Sequence, residues 1–224
     1  MRKLLFIVNF KNYTEISGEK SVKLAQSAAS VAKDTKVKIA VAPPQASLAL
    51  LASQVRIPVF AQHLDHSNTG STTGFMVPEM AKSYGVGGSL INHSEHRIQR
   101  AKIKQLVKKL RKLRMVSVVC ARSPHEVKKL ASFKPDYIAI EPPELIGSGI
   151  AVSKAKPSVI TRSINVANHV NAKVNVICGA GILDASDVSA AIRLGSRGIL
   201  VASGIVKSRN WRAKIRELAN AMVI

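Results

Sequence analysis

Acidic residues are scarce in this chain. Its 224 residues carry 13 Asp and Glu against 34 Lys and Arg, for a net charge of +21 and a pI near 10.4. Such a balance favours contact with anionic small molecules, nucleic acid or acidic membrane surfaces, and says nothing about fold. Cysteine is nearly absent. Cys120 and Cys178 each end a β-rich apolar run, and neither a disulfide framework nor metal-ligand spacing is visible, which favours a reducing cytoplasm. Apolar runs are short, none approaching the ~20 residues that cross a bilayer, so no membrane partner is expected. The first residues superficially resemble a secretory leader, but Asn9-Phe10-Lys11 interrupts the apolar stretch too early, and a first β-strand is the better reading. Missing too is a Gly-x-Gly-x-x-Gly after that strand, where no glycine occurs before Gly18. An open dinucleotide-binding sheet is therefore disfavoured.

What is present is a regular alternation. Short β-branched runs at 4–8, 37–42, 58–61, 88–91, 116–120, 137–140, 174–178 and 198–201 read as parallel strands buried on both faces. Helical spacing fills the gaps. Val22, Ala25, Ala29 and Ala32 share one face of the first helix. Ile103, Leu106, Val107, Leu110 and Leu113 form an apolar stripe in the fourth, and Val188 and Ile192 are four apart in the seventh. Ser123-Pro124 reads as an N-cap followed by proline in first position, and Gly195 as a helix stop. Eight strand–helix units in 224 residues predict an α/β fold, a closed (β/α)8 barrel forming a single domain over residues 1–224.

In such a barrel the site forms where strands end, so strand-end residues are the candidates. Glu141 directly follows the sixth strand. Pro142 and Pro143 stiffen its exit, and Gly147 and Gly149 give the following loop hinge freedom. A fixed carboxylate beneath a closing loop is the pattern of a lidded proton-transfer site. Asn9 and Lys11 alternate onto one side at the end of the first strand. His93 ends the fourth. The following Ser94-Glu95 is compatible with a short helical turn starting at residue 95, which would disfavour imidazole protonation. Gly179-Ala180-Gly181 and Ala202-Ser203-Gly204, after the seventh and eighth strands, suit a backbone phosphate cradle.

Other features read as ordinary. His63 and His66 lie in a Ser/Thr/Gly-rich loop with no third ligand in view, so no metal is expected. His96, His125 and His169 show no partners. Residues 97–114 hold nine basic side chains, no acid and no aromatic. An amphipathic helix with a solvated outer face explains them, and nucleic-acid contact there would be at most non-specific.

Together, Asn9-Phe10-Lys11, Ala61-Gln62, Thr73-Gly74, Asn92-His93-Ser94-Glu95, the 141–149 loop, Cys178-Gly179-Ala180-Gly181-Ile182 and Val201-Ala202-Ser203-Gly204 resemble the triosephosphate isomerase family, in its compact archaeal form. The resemblance runs nearly end to end. It implies that Glu141 is the base moving a proton between two carbons of a triose phosphate, with His93 as neutral electrophile. Both roles are carried over from the family, itself a standard example of pKa tuning. Lys11 would face the enediolate with positive charge, and Asn9 would help hold the substrate, with Phe10 beside them in the substrate-binding motif. Ile146 and Gly147 would form the lid tip, with Gly181, Ala202 and Ser203 completing the phosphate site. Glu95 would pair with Lys11, and Thr73 would reach across a dimer interface. No cofactor is implied. The family is at least dimeric, and compact archaeal members form tetramers through helices of the fourth and fifth units. The chain departs from the bacterial and eukaryotic pattern, which has a serine in the seventh loop and Gly-Gly after the eighth strand. The alternatives are another phosphosugar ketol-isomerase or aldolase, although no strand interior carries a Schiff-base lysine, and a nucleic-acid-binding barrel.

Overall fold

The computed structural model describes residues 4–223. Eight parallel strands form one sheet: β1 (Leu5–Asn9), β2 (Lys38–Ala42), β3 (Phe60–Ala61), β4 (Gly88–Ile91), β5 (Val116–Ala121), β6 (Tyr137–Ile140), β7 (Asn175–Cys178) and β8 (Gly198–Val201). Their order, β2-β1-β8-β7-β6-β5-β4-β3, is circular apart from one junction. There β2 meets β3 through the single parallel bridge Val41↔Val59, where the Val41 N–H donates to Pro58 O at 3.0 Å. The barrel predicted from the alternation is present, nearly closed.

The helices are α1 (Glu19–Thr35), α2 (Leu48–Gln54), α3 (Pro78–Ser83), α4 (Arg100–Lys112), α5 (Pro124–Ala131), α6 (Val152–Ala155), α7 (Pro157–Asn171), α8 (Ala185–Arg193), α9 (Ser203–Val206) and α10 (Trp211–Asn220). Among the described residues no helix is long and apolar enough to cross a membrane.

Both strand faces are buried, which is why the strands read as continuous apolar runs. Leu5, Ile7, Ala40, Phe60, Leu90 and Val118 fill the barrel interior, while Phe6, Val8, Ile39 and Ile91 face the helices. On α4, Ile103, Leu106, Val107 and Leu110 are buried, as the stripe predicts. The first helix is turned from the predicted face. Leu24, Ala28 and Val31 are buried with Ala25, whereas Val22, Ala29 and Ala32 are only partly covered. The larger Leu24 and Val31 remove more apolar area from water and take the centre of the contact.

Helix ends follow the sequence closely. Ser123 Oγ accepts from the Glu126 N–H with Pro124 in the first turn, and Gly195 follows α8 with φ 94°. A capping box of Asp184 and Asp187 starts α8.

Candidate active site

Strand parity sets the mouth of the barrel. Side chains two residues apart share a face, so the interior series Ile7, Phe60, Ala139 and Ile177 continues to Asn9, Gln62, Glu141 and Gly179. The polar groups that emerge at the top are those that continue an apolar interior series.

Two residues leave that parity through left-handed turns. Lys11 has φ 49° and Asn92 has φ 62°, uncommon values outside glycine. Lys11 therefore reaches the mouth through a turn after β1 ends, and strand alternation does not carry it there. Its N–H donates to Asn9 Oδ1 at 3.1 Å, and Gln62 Nε2 donates to its carbonyl at 3.0 Å and to Ala42 O at 3.1 Å. The Asn92 side chain accepts from the Ile98 N–H at 3.2 Å and donates to Cys120 O at 3.1 Å. This fixes the bend that presents His93.

His93 Nε2 lies 3.6 Å from Glu141 Oε1. The expected helix at residue 95 is absent. Residues 94–95 form a tight turn, His96 N–H donates back to His93 O at 2.9 Å, and α4 begins only at Arg100. The turn acts on the ring differently: the Glu95 N–H points at His93 Nδ1 from 3.3 Å. A nitrogen that accepts a hydrogen bond carries no proton, so this contact leaves the ring proton on Nε2, toward Glu141. Glu95 Oε2, 3.6 Å from Nδ1, is beyond hydrogen-bond range. Glu95 Oε1 instead holds Lys11 Nζ at 2.5 Å.

Glu141 is 2% exposed, and its Oε2 has no hydrogen-bond partner in the protein. Burial raises its pKa above the usual carboxylate value, against the opposing pull of His93, the neighbouring Cys120 thiol, Lys11 and Arg97. Cys120 and Cys178 are free, buried thiols near this carboxylate. Burial, then the charge of Glu141, lifts Cys120 well above its ordinary value. Cys178 is pushed up to about 12, mainly by burial.

A cavity of about 330 Å³ opens here. Asn9, Lys11, His93 and Glu141 line one side. Ile146 and Gly147 of the 141–149 loop overhang it, and Gly181, Ala202 and Ser203 form the far wall. Pro143–Leu145 is a single 3-10 turn, followed by Gly147 and Gly149 at φ 73° and 74°, so the loop is stiff first and permissive afterwards. Gly181 anchors the loop's far end. At φ 72°, it packs so closely that a Cβ would lie 1.9 Å from Ile150 O. Ala180 O accepts from the Val152 N–H at 3.2 Å.

Two predicted residues lie away from this cavity. Phe10 is fully buried in the layer between sheet and helices, opposite in parity to Asn9, so the structure makes it a packing residue rather than a substrate contact. Thr73 is exposed in the loop between β3 and α3. His96 does have a partner: its ring stacks on His63 at 4.0 Å, and His63 also faces Asp65 at 3.4 Å. Sequence reasoning misses Tyr13 and Lys207, which line the cavity and meet each other in a cation–π contact of 5.1 Å. It also gives Gln62 no role beyond its motif; the parity series through Phe60 is the signal that could have found it.

A buried carboxylate, an imidazole with its proton turned inward and a paired lysine, set under a glycine-hinged loop, define a barrel protein of the carbon-acid proton-transfer class. A model of the family described as triosephosphate isomerase matches residues 4–221. The chain is 47% identical over 221 residues to a triosephosphate isomerase of Cenarchaeum symbiosum, covering 99% of both chains. It is 43% identical over 215 residues to that of Methanocaldococcus jannaschii, covering 96% of this chain and 98% of the relative. For Caldivirga maquilingensis the figure is 45% over 223 residues, covering 100% and 99%. The chain belongs to the triosephosphate isomerase family.

Proposed function

We propose that this protein interconverts glyceraldehyde 3-phosphate and dihydroxyacetone phosphate, with Glu141 as the base. The carboxylate removes a proton from the carbon beside the carbonyl, and an enediolate forms. The proton then returns to the neighbouring carbon. The observation that carries this reading is the buried Glu141 with its unpartnered Oε2 at the cavity. A carboxylate raised in basicity by burial suits abstraction of a weakly acidic carbon proton.

His93 donates its Nε2 proton to the developing oxyanion, and Lys11 adds positive charge there. Preorganised donors of this kind are worth about 10²–10³ in rate each. Asn9 orients the substrate oxygens. Ile146 and Gly147 close over the phosphate, which the backbone of Gly181, Ala202 and Ser203 grips at the start of α9. Glu95 keeps Lys11 in place. Excluding water protects the enediolate from side reactions. One carbon is oxidised as its neighbour is reduced within the same molecule, so the reaction needs no external oxidant or reductant and calls on no cofactor.

Coupled turnover of glyceraldehyde 3-phosphate by the wild type and by Glu141→Gln tests the assignment. Activity should fall by several orders of magnitude in the variant. A variant with near-native kcat, or a folded but inactive wild type, would sink the reading.

We further infer self-association. Phe75, Met80 and Tyr84 are each more than half exposed around the loop that carries Thr73, a surface suited to a second copy. The uncompensated cations of α4 oppose association through that helix, so a dimer is favoured over a tetramer. Light scattering at low and high salt checks this, and a monomer under both conditions would refute it. The buried free thiols fit a cytoplasmic setting.

A further inference from the structure

We propose that the outer face formed by α4 and α5 is a binding surface for the phosphate backbone of duplex nucleic acid, separate from the barrel mouth. The charge excess is local. Residues 97–134 carry 13 of the 34 basic residues and only one acid, Glu126, so 38 residues hold +12 of the net +21.

Elsewhere the cations are spread more thinly, and several meet acids, although others among the described residues, Lys20, Lys23 and Lys33 of α1 included, do not. Arg212 and Arg216 converge on Asp34, Lys214 meets Glu217, and Lys154 meets Asp187. On the α4–α5 face the few acids within reach are already taken. Glu126 faces Arg97 and Arg122 near the mouth, and Lys109 reaches across to Glu79. Arg100, Lys104, Lys108 and Lys112 are exposed, and no carboxylate among the described residues pairs with them. The same holds for Lys128, Lys129 and Lys134 on and after α5. Arg111 ties α4 to the segment that follows α5, donating to Phe133 O at 3.1 Å and also to Lys134 O.

The pattern works against the helix that bears it. Arg100, Lys104, Lys108 and Lys112 follow each other at i, i+4, where like charges repel. The first turn of α4 has no acid, so Arg100 and Lys102 stand at the positive end of the helix dipole. Within the described residues neither ion pairing nor helix electrostatics gives these solvated side chains a partner; an external anion with repeated charges would. The stripe runs for ~18 Å, and duplex DNA presents one charge per ~1.7 Å of axis.

What else the face carries narrows the occupant. None of the exposed large apolar side chains lies within residues 97–134. A membrane would find nothing to insert, and a protein partner would lack an apolar anchor. Without an exposed aromatic ring, single-stranded bases have no stacking platform. Contact through phosphates alone, independent of base sequence, is what remains.

The test is fluorescence anisotropy of a short labelled DNA duplex over a salt series. It uses wild type, the triple variant Lys104→Glu/Lys108→Glu/Lys112→Glu, and an equally charged control, Lys20→Glu/Lys23→Glu/Lys33→Glu, on exposed positions of α1. Wild-type affinity should fall log-linearly with salt, by a slope of about −0.9 per phosphate contact. The α4 variant should bind about 100-fold more weakly with a flatter slope and unchanged isomerase turnover, and the α1 control should lose little. The neutral variant Lys104→Gln/Lys108→Gln/Lys112→Gln should fall between wild type and the α4 reversal. Absence of wild-type binding at moderate salt, or equal losses in the α1 control, would overturn the proposal. Phosphatidylserine vesicles that bind as well as the duplex, with the same dependence on α4, would reassign the face to membranes.

Discussion

Gly179 and Glu141 are in steric contact at the bottom of the cavity: a Cβ added to Gly179 would lie 2.6 Å from Glu141 Cγ and 3.0 Å from its Oε1. The absent side chain of Gly179 leaves the room that the carboxylate occupies. Gly179→Ala should push the carboxylate aside and lower kcat about 100-fold, since a displacement near 1 Å has that order of effect. KM should change little, because the phosphate wall is untouched. Steady-state kinetics decide it, and a native kcat would show that the carboxylate has slack.

Burial of Glu141 couples activity to stability. Its folded pKa is raised above the unfolded value, so the folded state holds its proton more tightly. Stability is therefore lost as pH rises from the unfolded value, ~4.3, through the folded one, and the full penalty is present above both. Glu141→Gln should melt higher than wild type near neutral pH, and the advantage should vanish below pH ~4. Thermal melts at both pH values check this, and a lower-melting variant at neutral pH would contradict it. By the same shift, the acid limb of kcat/KM in the wild type should lie above the usual carboxylate range.

Gln62 secures Lys11 without approaching the substrate wall of the cavity. Its amide is the donor to both Lys11 O and Ala42 O, and Lys11 sits in a left-handed turn that relaxes if unsupported. Gln62→Ala should cost about 1–3 kcal/mol of stability from two lost hydrogen bonds. It should also lower kcat/KM about tenfold, through misplacement of the lysine. Gln62→Glu keeps the side-chain length but loses the donor, and should behave similarly. Melting and kinetics unaffected in both variants would remove Gln62 from the site.

The barrel was legible because parallel strands covered on both faces become unbroken apolar words, as in Phe6-Ile7-Val8 or Ile138-Ala139-Ile140. Asn9 and Glu141 were legible for a related reason, each continuing the inward face of a strand. What escaped depends on geometry that spacing does not encode. The tight turn at residues 94–95 sets the tautomer of His93 through the Glu95 backbone amide, whereas the sequence suggested a helix there. Phe10 shared a motif with two mouth residues but faces the opposite way, into the core. Lys207 reached the cavity from beyond α9, where no periodicity points to a site.

The single bridge Val41↔Val59 gives the barrel a soft side. Local opening follows the route with the fewest hydrogen bonds, and β3, two residues long, offers it. The Gln62 amide crosses that seam to the end of β2 and to the Lys11 turn, so breathing of the wall and drift of the cation are one motion. Glu141 rises from β6, paired along its length with β5 and β7, across the ring from β2. The mouth is thus divided into a compliant side, at the seam that the Gln62 amide spans, and a rigid side that holds the base in register.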